Sequence, residues 1–124
     1  MKKKLTSSKA PIPIGPYSVA VEYGNLIYTC GQIPLNREGN IAGTDIKEQT
    51  RQVIENLKNI LEENGSSIAQ VLKTTVFLKD MNEFAGMNEV YGEYFQDSAP
   101  ARSTLEAARL PKDVKIEMDV IAYK

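Results

Sequence analysis

Residues 114–123 alternate between apolar and mostly polar side chains, and this alternation restricts the fold more than any other feature of the sequence. The apolar set is Val114, Ile116, Met118, Val120 and Ala122, and the intervening set is Lys115, Glu117, Asp119, Ile121 and Tyr123. Successive side chains of a β-strand point to opposite faces of its sheet. The apolar set should therefore contact helices, and the pattern predicts a sheet with helices packed on one face.

Two segments have the apolar periodicity of helices. Thr44 or Asp45 can cap a first helix that continues to about Asn64, where Gly65 provides the stop. Its expected buried face consists of Ile46, Val53, Ile54, Leu57, Ile60 and Leu61. A second helix is expected over residues 82–95. Its buried stripe is expected to consist of Phe84, Met87, Val90, Tyr91 and Tyr94.

The remaining segments predict β-strands, in a single domain covering residues 1–124. Three prolines exclude a helix from residues 10–16, which we interpret as a loop that delivers Tyr17 into the first strand. Strands are expected in residues 18–33, as a hairpin turning at Gly24-Asn25, and in residues 71–80, 103–107 and 115–123. The resulting order, β-β-α-β-α-β-β, is an α+β fold: a mixed sheet with two helices on one face.

The segment at residues 26–30 indicates that the second face of the sheet is covered as well. Both of its alternating sets are apolar or nearly so: Leu26, Tyr28 and Cys30 on one side, Ile27 and Thr29 on the other. Because two helices cannot cover both faces, we expect an oligomer whose subunits meet through the helix-free face.

The composition excludes several classes of protein. The 15 basic and 16 acidic residues nearly cancel, which disfavours a nucleic-acid-binding surface. The absence of histidine removes Ser-His-Asp and Cys-His schemes and most zinc sites. With a single cysteine and no apolar run of membrane length, we expect a cytoplasmic protein with no membrane partner. The basic residues 1–5 precede polar residues, so we expect a solvated, frayed terminus rather than a signal peptide.

Arg102 and Glu117 lack an obvious local partner. Arg102 is either a surface residue or an ion-pair partner at an interface, and the pattern alone favours this interpretation. Alternatively, its planar guanidinium binds a substrate carboxylate through paired N–H donors. Glu117 lies on the face that the helices do not cover. It is either an ordinary polar residue of an open face, or a carboxylate whose pKa rises when subunits bury that face.

Three residues before the first helix are further candidates. Tyr17, held by the Pro16 turn, is of a type found more often in cores than in catalysis. Cys30 could be a nucleophile, but a lone cysteine in a strand is usually a small buried apolar group, and we favour that interpretation. Gly31 allows its backbone to approach a ligand closely.

Four segments carry a family resemblance that covers nearly the whole chain from residue 10 onward. They are IGPYS, GQIPL, KTTVFLKDMNEFAGMNEVY and PARSTLEAARLPKDVKIEM. By these segments the chain is identified as a member of the Rid family, the reactive-intermediate deaminases also called YjgF or translation-inhibitor-like proteins, within the RidA-type group. The resemblance implies a chorismate-mutase-like protomer in a homotrimeric barrel with clefts between subunits.

The resemblance also implies a role for each candidate residue. Arg102 would bind the carboxylate of a 2-imino or 2-enamino acid, Glu117 would position or activate water, and Tyr17 would lie beside them. The residues expected to complete the substrate pocket are Cys30, Gly31, Asn88 and Thr104. The sequence departs from the family at Thr104, where many members carry cysteine, and at Cys30, where serine is common and a hydroxyl contact becomes weaker.

The implied activity is hydrolysis of 2-iminopropanoate and 2-iminobutanoate to 2-oxo acids and ammonia, with no metal and no cofactor. One alternative is an RNA-directed translation inhibitor or endoribonuclease, against which the near-neutral charge and the missing histidine count. Another is a regulatory module that senses a small carboxylate metabolite without converting it.

Overall fold

A six-stranded mixed sheet forms the centre of the computed structural model, which describes residues 1–124. The strands are β1 (Lys3–Leu5), β2 (Ala20–Tyr23), β3 (Leu26–Thr29), β4 (Val71–Leu78), β5 (Ala101–Glu106) and β6 (Ile116–Tyr123). Their spatial order is β1-β2-β3-β6-β4-β5. Only β4 and β5 pair in parallel, and every other pair is antiparallel. Two helices, α1 (Ile46–Glu63) and α2 (Phe84–Phe95), cover one face. This is the predicted α+β architecture.

The core lies between this helical layer and one face of the sheet. The alternation along β6 has the predicted result, because the apolar set is buried while the intervening residues are more exposed. The buried residues of this strand are Ile116, Met118, Val120 and Ala122. The apolar face of α1 is buried as predicted. Asp45 caps this helix by accepting a hydrogen bond from the Glu48 backbone N–H at 2.8 Å.

The N-terminal segment corrects one expectation, since it is not frayed. Lys3–Leu5 pair with β2, and Leu5 is only 6% exposed. Glu63, at the end of α1, accepts hydrogen bonds from Ser7 Oγ (2.6 Å), the Ser8 backbone N–H (2.8 Å) and Ser8 Oγ (2.7 Å). These bonds lower the pKa of the Glu63 carboxyl to about 2. The predicted order of elements is therefore present, with one additional short strand before it.

Smaller differences concern where elements begin. Tyr17 stays in the proline-rich loop, because β2 begins at Ala20. A 3₁₀ turn over Met81–Glu83 precedes α2, and β5 begins at Ala101 rather than Ser103. These shifts place Arg102 inside a strand, where its partners fix the direction of its side chain.

The helix-free face of the sheet is apolar and partly exposed in the protomer. It carries Tyr28 (40% exposed), Leu105 (43%) and Tyr123 (40%), with Phe77 and Ile121 half-buried among them. No helix of the chain has both the length and the apolar character required for a membrane span.

Candidate functional site

Glu117 lies on β6 and points to the helix-free face, between the buried residues Ile116 and Met118. Its carboxylate is half-buried, and no hydrogen bond or ion pair within the chain involves it. Burial, and to a lesser degree the charge of Asp119, raises the pKa of Glu117 above its usual range. An acid of this kind is suited to exchange protons with a ligand.

Gly31 holds the chain directly against this carboxylate. The next residue, Gln32, forms an isolated bridge with Met118 through two backbone hydrogen bonds of 2.8 and 3.1 Å. This bridge fixes the Gly31 backbone beside β6. A Cβ atom at position 31 would overlap Glu117 Oε2 and lie 3.0 Å from its carboxyl carbon. A side chain at position 31 would therefore force the Glu117 carboxylate to move.

A recess of about 380 Å³ opens beside Glu117. Its walls are formed by Tyr17, Cys30, Gly31, Ile33, Pro111 and Glu117. Tyr17 is 53% exposed, and its hydroxyl accepts a hydrogen bond from the Ile14 backbone N–H at 3.3 Å. The Tyr17 ring thus belongs to the recess rather than to the core.

The Cys30 thiol is held in its neutral form. Burial raises its pKa, and the negative charge of Glu117 acts in the same direction. The side-chain amide of Gln32 donates a hydrogen bond to Cys30 Sγ at 3.3 Å. A thiol with a raised pKa is a poor nucleophile, which agrees with the structural role expected for this residue.

Arg102 belongs to a second group of residues, between β5 and α2. Its Nη1 donates a hydrogen bond to Asn88 Oδ1 at 2.7 Å. The guanidinium carbon lies 4.6 Å from the centre of the Tyr91 ring and 5.3 Å from that of Phe84. The Tyr91 hydroxyl is fixed in turn by Thr74 Oγ1 at 2.8 Å. Arg102 has no ion-pair partner in the chain, so a well-oriented cation is left available for an anion.

Arg102 and Glu117 point to opposite faces of the sheet. Arg102 lies opposite Thr74, which faces α2, whereas Glu117 lies opposite Phe77 on the helix-free face. Residues directly opposite each other on paired strands share a face, and adjacent residues alternate. The two charges therefore do not form one site within a single protomer.

The candidate residues fall into two half-sites. The acid half-site consists of Glu117 with Tyr17, Cys30 and Gly31, and the cation half-site consists of Arg102 with Asn88. Thr104 lies two residues beyond Arg102 on the same face. Its hydroxyl is buried and has no hydrogen-bond partner within the chain.

Three contributors were missed by the sequence analysis. Tyr91 and Phe84 were assigned only to the buried stripe of α2, yet their rings support the Arg102 guanidinium. The tyrosine hydroxyl on an otherwise apolar stripe was the available signal, since a buried Tyr O–H requires a partner. Gln32 gave no such signal, because its role depends on a bridge between distant segments.

The fold and the two separated groups of candidate residues define a class, that of small α+β proteins with an unpaired acid and an unpaired cation on opposite faces of one sheet. Comparison with known proteins identifies the family within that class. Residues 7–124 match the family described as endoribonuclease L-PSP. The chain belongs to this family, and its resemblance to the Rid proteins is confirmed.

Individual relatives match over nearly the full length. A RutC family protein of Pyrococcus abyssi is 60% identical over 99% of this chain and 98% of its own. The 2-iminobutanoate/2-iminopropanoate deaminase of Escherichia coli K12 is 45% identical over 100% and 99%. Among solved structures, Escherichia coli TdcF with bound serine superposes with a TM-score of 0.93 at 41% identity, over 98% of each chain.

Proposed function

We propose that this protein is a deaminase that hydrolyses small 2-imino acids, such as 2-iminobutanoate and 2-iminopropanoate, to 2-oxo acids and ammonia. The observation that carries the proposal is that two charged groups have no ion-pair partner in the chain, the Arg102 guanidinium and the half-buried Glu117 carboxylate. The relative named for this activity supports it. The relative with bound serine supports a ligand with a carboxylate next to a nitrogen-bearing carbon.

The complete site requires two copies of the chain. Because the half-sites lie on opposite faces of one sheet, the cation half-site of one copy must meet the acid half-site of a neighbour. The apolar helix-free face, with Tyr28 and Leu105 exposed, supplies the surface for this association. We place the protein in a cytoplasmic homotrimer with one site in each of three clefts, as the family resemblance implies.

The proposed reaction begins with the substrate held by its carboxylate. Arg102 binds this group with paired N–H donors, while Asn88 and the Tyr91 ring keep the guanidinium in orientation. Each such charged hydrogen bond is worth about 1.5–3 kcal/mol once water is excluded. The imine carbon then lies in the cleft beside Glu117 of the neighbouring copy.

Glu117 activates the attacking water. The water oxygen bonds to the imine carbon, one water proton passes to Glu117, and the C=N electron pair moves to the nitrogen, which then takes this proton from Glu117. The hydroxyl proton of the resulting carbinolamine passes through Glu117 to the amine nitrogen, and the C–N bond then breaks to release ammonia and the 2-oxo acid. This sequence consumes one water and needs neither histidine nor a covalent intermediate.

The proposal can be tested with imine generated in the cuvette. A dehydratase acting on threonine supplies 2-iminobutanoate, and its decay is followed with wild type, Arg102→Ala and Glu117→Ala. Wild type should accelerate hydrolysis, and each variant should lose most of the acceleration. Arg109→Ala is the control, because Arg109 is exposed and pairs only with Asp113. Equal acceleration by wild type and both site variants would contradict the proposal.

The family's description as an endoribonuclease gives RNA cleavage as the second candidate. A net charge of −1 and the lack of histidine disfavour it. Incubation of single-stranded RNA with wild type and Glu117→Ala separates the two activities. Cleavage by wild type alone would favour the nuclease, and binding of a small carboxylate with no turnover would favour a sensor.

A further inference from the structure

Asp119 is a second acid beside Glu117 that neither the fold nor the proposed chemistry requires. The two residues flank the buried Met118 on β6 and therefore point to the same helix-free face. They lie opposite Thr75 and Phe77 of β4. Both carboxylates are half-buried, and neither accepts a hydrogen bond within the chain. Two neighbouring carboxylates without hydrogen-bond partners are unfavourable at a partly buried position. Their presence together therefore suggests a function for their repulsion.

The surroundings of the pair contain few positive charges. The titratable and charged groups that face it are Lys73 on β4, Tyr28 on β3, Cys30 after β3, Tyr17 and Lys112 on the loops around the recess, and Lys115 before β6. Lys115 is engaged by Glu83 at 3.1 Å, and the Lys73 ammonium donates to Ser103 Oγ at 3.1 Å. In the proposed assembly, Arg102 of a second copy also faces the pair.

The two acids of the pair have different electrostatic surroundings, since Lys73 acts on the pKa of Asp119 and Asp119 acts on the pKa of Glu117. Burial raises the pKa of Asp119, and the Lys73 charge opposes this effect. Glu117 receives no compensating positive charge within the chain, and the charge of Asp119 adds to its burial. Like charges at close range make protonation of one partner more favourable.

We propose that Asp119 is a positioning residue that acts through Glu117: its negative charge on the same face of β6 favours transfer of a proton from the attacking water to Glu117. The inference rests on the proposed deaminase function. When the water oxygen bonds to the imine carbon, its proton neutralises Glu117 and the repulsion between the two carboxylates is relieved. The same proton is then available for the departing nitrogen, so Glu117 returns to its charged form.

The decisive experiment is the pH dependence of kcat/KM for imine hydrolysis by wild type and Asp119→Asn. Removing the Asp119 charge lowers the proton affinity of Glu117. The acid limb should therefore move to lower pH, by about 0.5–1 pH unit for charges separated by one pleat at a partly solvated surface. The plateau should fall several-fold, because a weaker base takes the water proton less readily. The conservative variant Asp119→Glu should keep the acid limb and the plateau at their wild-type values. The control Asp97→Asn, at an exposed position, should also leave both unchanged.

A titration without substrate separates this role from a structural one. The side-chain carboxyl carbon of Glu117, followed by NMR in the assembled protein, should titrate at lower pH in Asp119→Asn than in wild type. If Asp119→Asn does not fold, Glu117→Gln provides the reciprocal test, in which Asp119 should titrate at lower pH. Normal wild-type turnover with an unmoved acid limb and unmoved titrations would overturn the role of Asp119 alone. Absence of wild-type turnover would overturn the deaminase function itself.

Discussion

Arg102 and Glu117 are charged residues whose surroundings are organised without neutralising them. Asn88 and Tyr91 orient the Arg102 guanidinium, yet no carboxylate pairs with it. Glu117 is pressed against Gly31 and receives no hydrogen bond. Leaving charges partly buried and unpaired is unfavourable for folding, so their retention fits residues that are completed by a ligand.

Gly31→Ala should remove activity through Glu117 rather than through the fold. The added Cβ overlaps the Glu117 carboxylate, which must rotate away from its present position. We expect kcat/KM for imine hydrolysis to fall about 10-fold or more, as displacement of a catalytic group by about an ångström does.

A double-mutant cycle provides the control for this substitution. In a Glu117→Gln background, Gly31→Ala should lower kcat/KM little further, because the group it displaces has already lost its function. Fully additive losses would show that Gly31 acts independently of Glu117.

Glu117→Gln should make the protein less active but more stable at neutral pH. The pKa of Glu117 is raised in the folded state, so the protonated form contributes stability below the unfolded pKa of about 4.5, and this contribution is lost as the pH rises through the folded value. Thermal unfolding should therefore occur at a higher temperature in the variant at about pH 7, with the difference vanishing below about pH 4. Glu62→Gln, on the exposed side of α1, should show no such pH dependence. A wild type that is the more stable protein at neutral pH would contradict the assignment.

At the scale of elements, those with a regular apolar periodicity were predicted well, whereas an element held by contacts with distant residues was not. The α1 helix and β6 follow from apolar spacing, because burial on one face imposes that spacing directly. The β1 strand was not predicted. Lys3–Leu5 has only one residue, Leu5, with a buried side chain. The strand is held by its pairing with β2, and the segment that follows it is bonded to the distant Glu63. Local pattern carries no information about a partner so far along the chain.

Glu63→Gln should loosen the N-terminal segment without unfolding the rest. An amide accepts fewer hydrogen bonds than a carboxylate, so Ser7 and Ser8 lose part of their anchor. Backbone amides of β1 should exchange faster with solvent in the variant, measured by hydrogen exchange, whereas those of β6 should not change.

The same anchor should depend on acid in a defined direction. The pKa of Glu63 is lowered to about 2, so its contribution is present above the unfolded value of about 4.5 and is lost as the pH falls toward 2. Glu62→Gln is the matched control, since the neighbouring Glu62 is exposed and has no such role. Equal exchange of β1 in both variants would show that Glu63 is not its anchor.

At the scale of the whole molecule, the sequence predicted the fold class better than it predicted which faces of the sheet the candidate residues occupy. The apolar sets at residues 26–30 predict that the second face of the sheet is covered by another copy. The sequence does not predict that Arg102 and Glu117 lie on opposite faces of the sheet. The register of β5 and β6 against β4 decides which face each residue occupies. The number of subunits depends on the angle at which two sheets meet, and no residue pattern encodes that angle locally.

Tyr28→Lys should weaken the assembly. Tyr28 stands in the middle of the helix-free face at 40% exposure, and a lysine there would place a charge in the proposed interface. Light scattering should show a concentration-dependent shift toward protomer mass, with loss of imine hydrolysis in parallel. Met81→Lys changes an equally exposed apolar residue of the turn before α2, outside that face, and should leave the mass unchanged. A Tyr28→Lys protein of wild-type mass would remove this face from the interface.

Complementation between two inactive variants tests the two-copy site most directly. Arg102→Ala and Glu117→Ala are mixed after denaturation and refolded together, and subunit exchange is verified by mass with differently tagged chains. If each site joins Arg102 of one copy to Glu117 of another, random mixing in equal amounts restores about a quarter of the wild-type rate of imine hydrolysis, since half of the copies supply each intact residue. Mixed oligomers with no activity above that of the separate variants would contradict a site shared between copies.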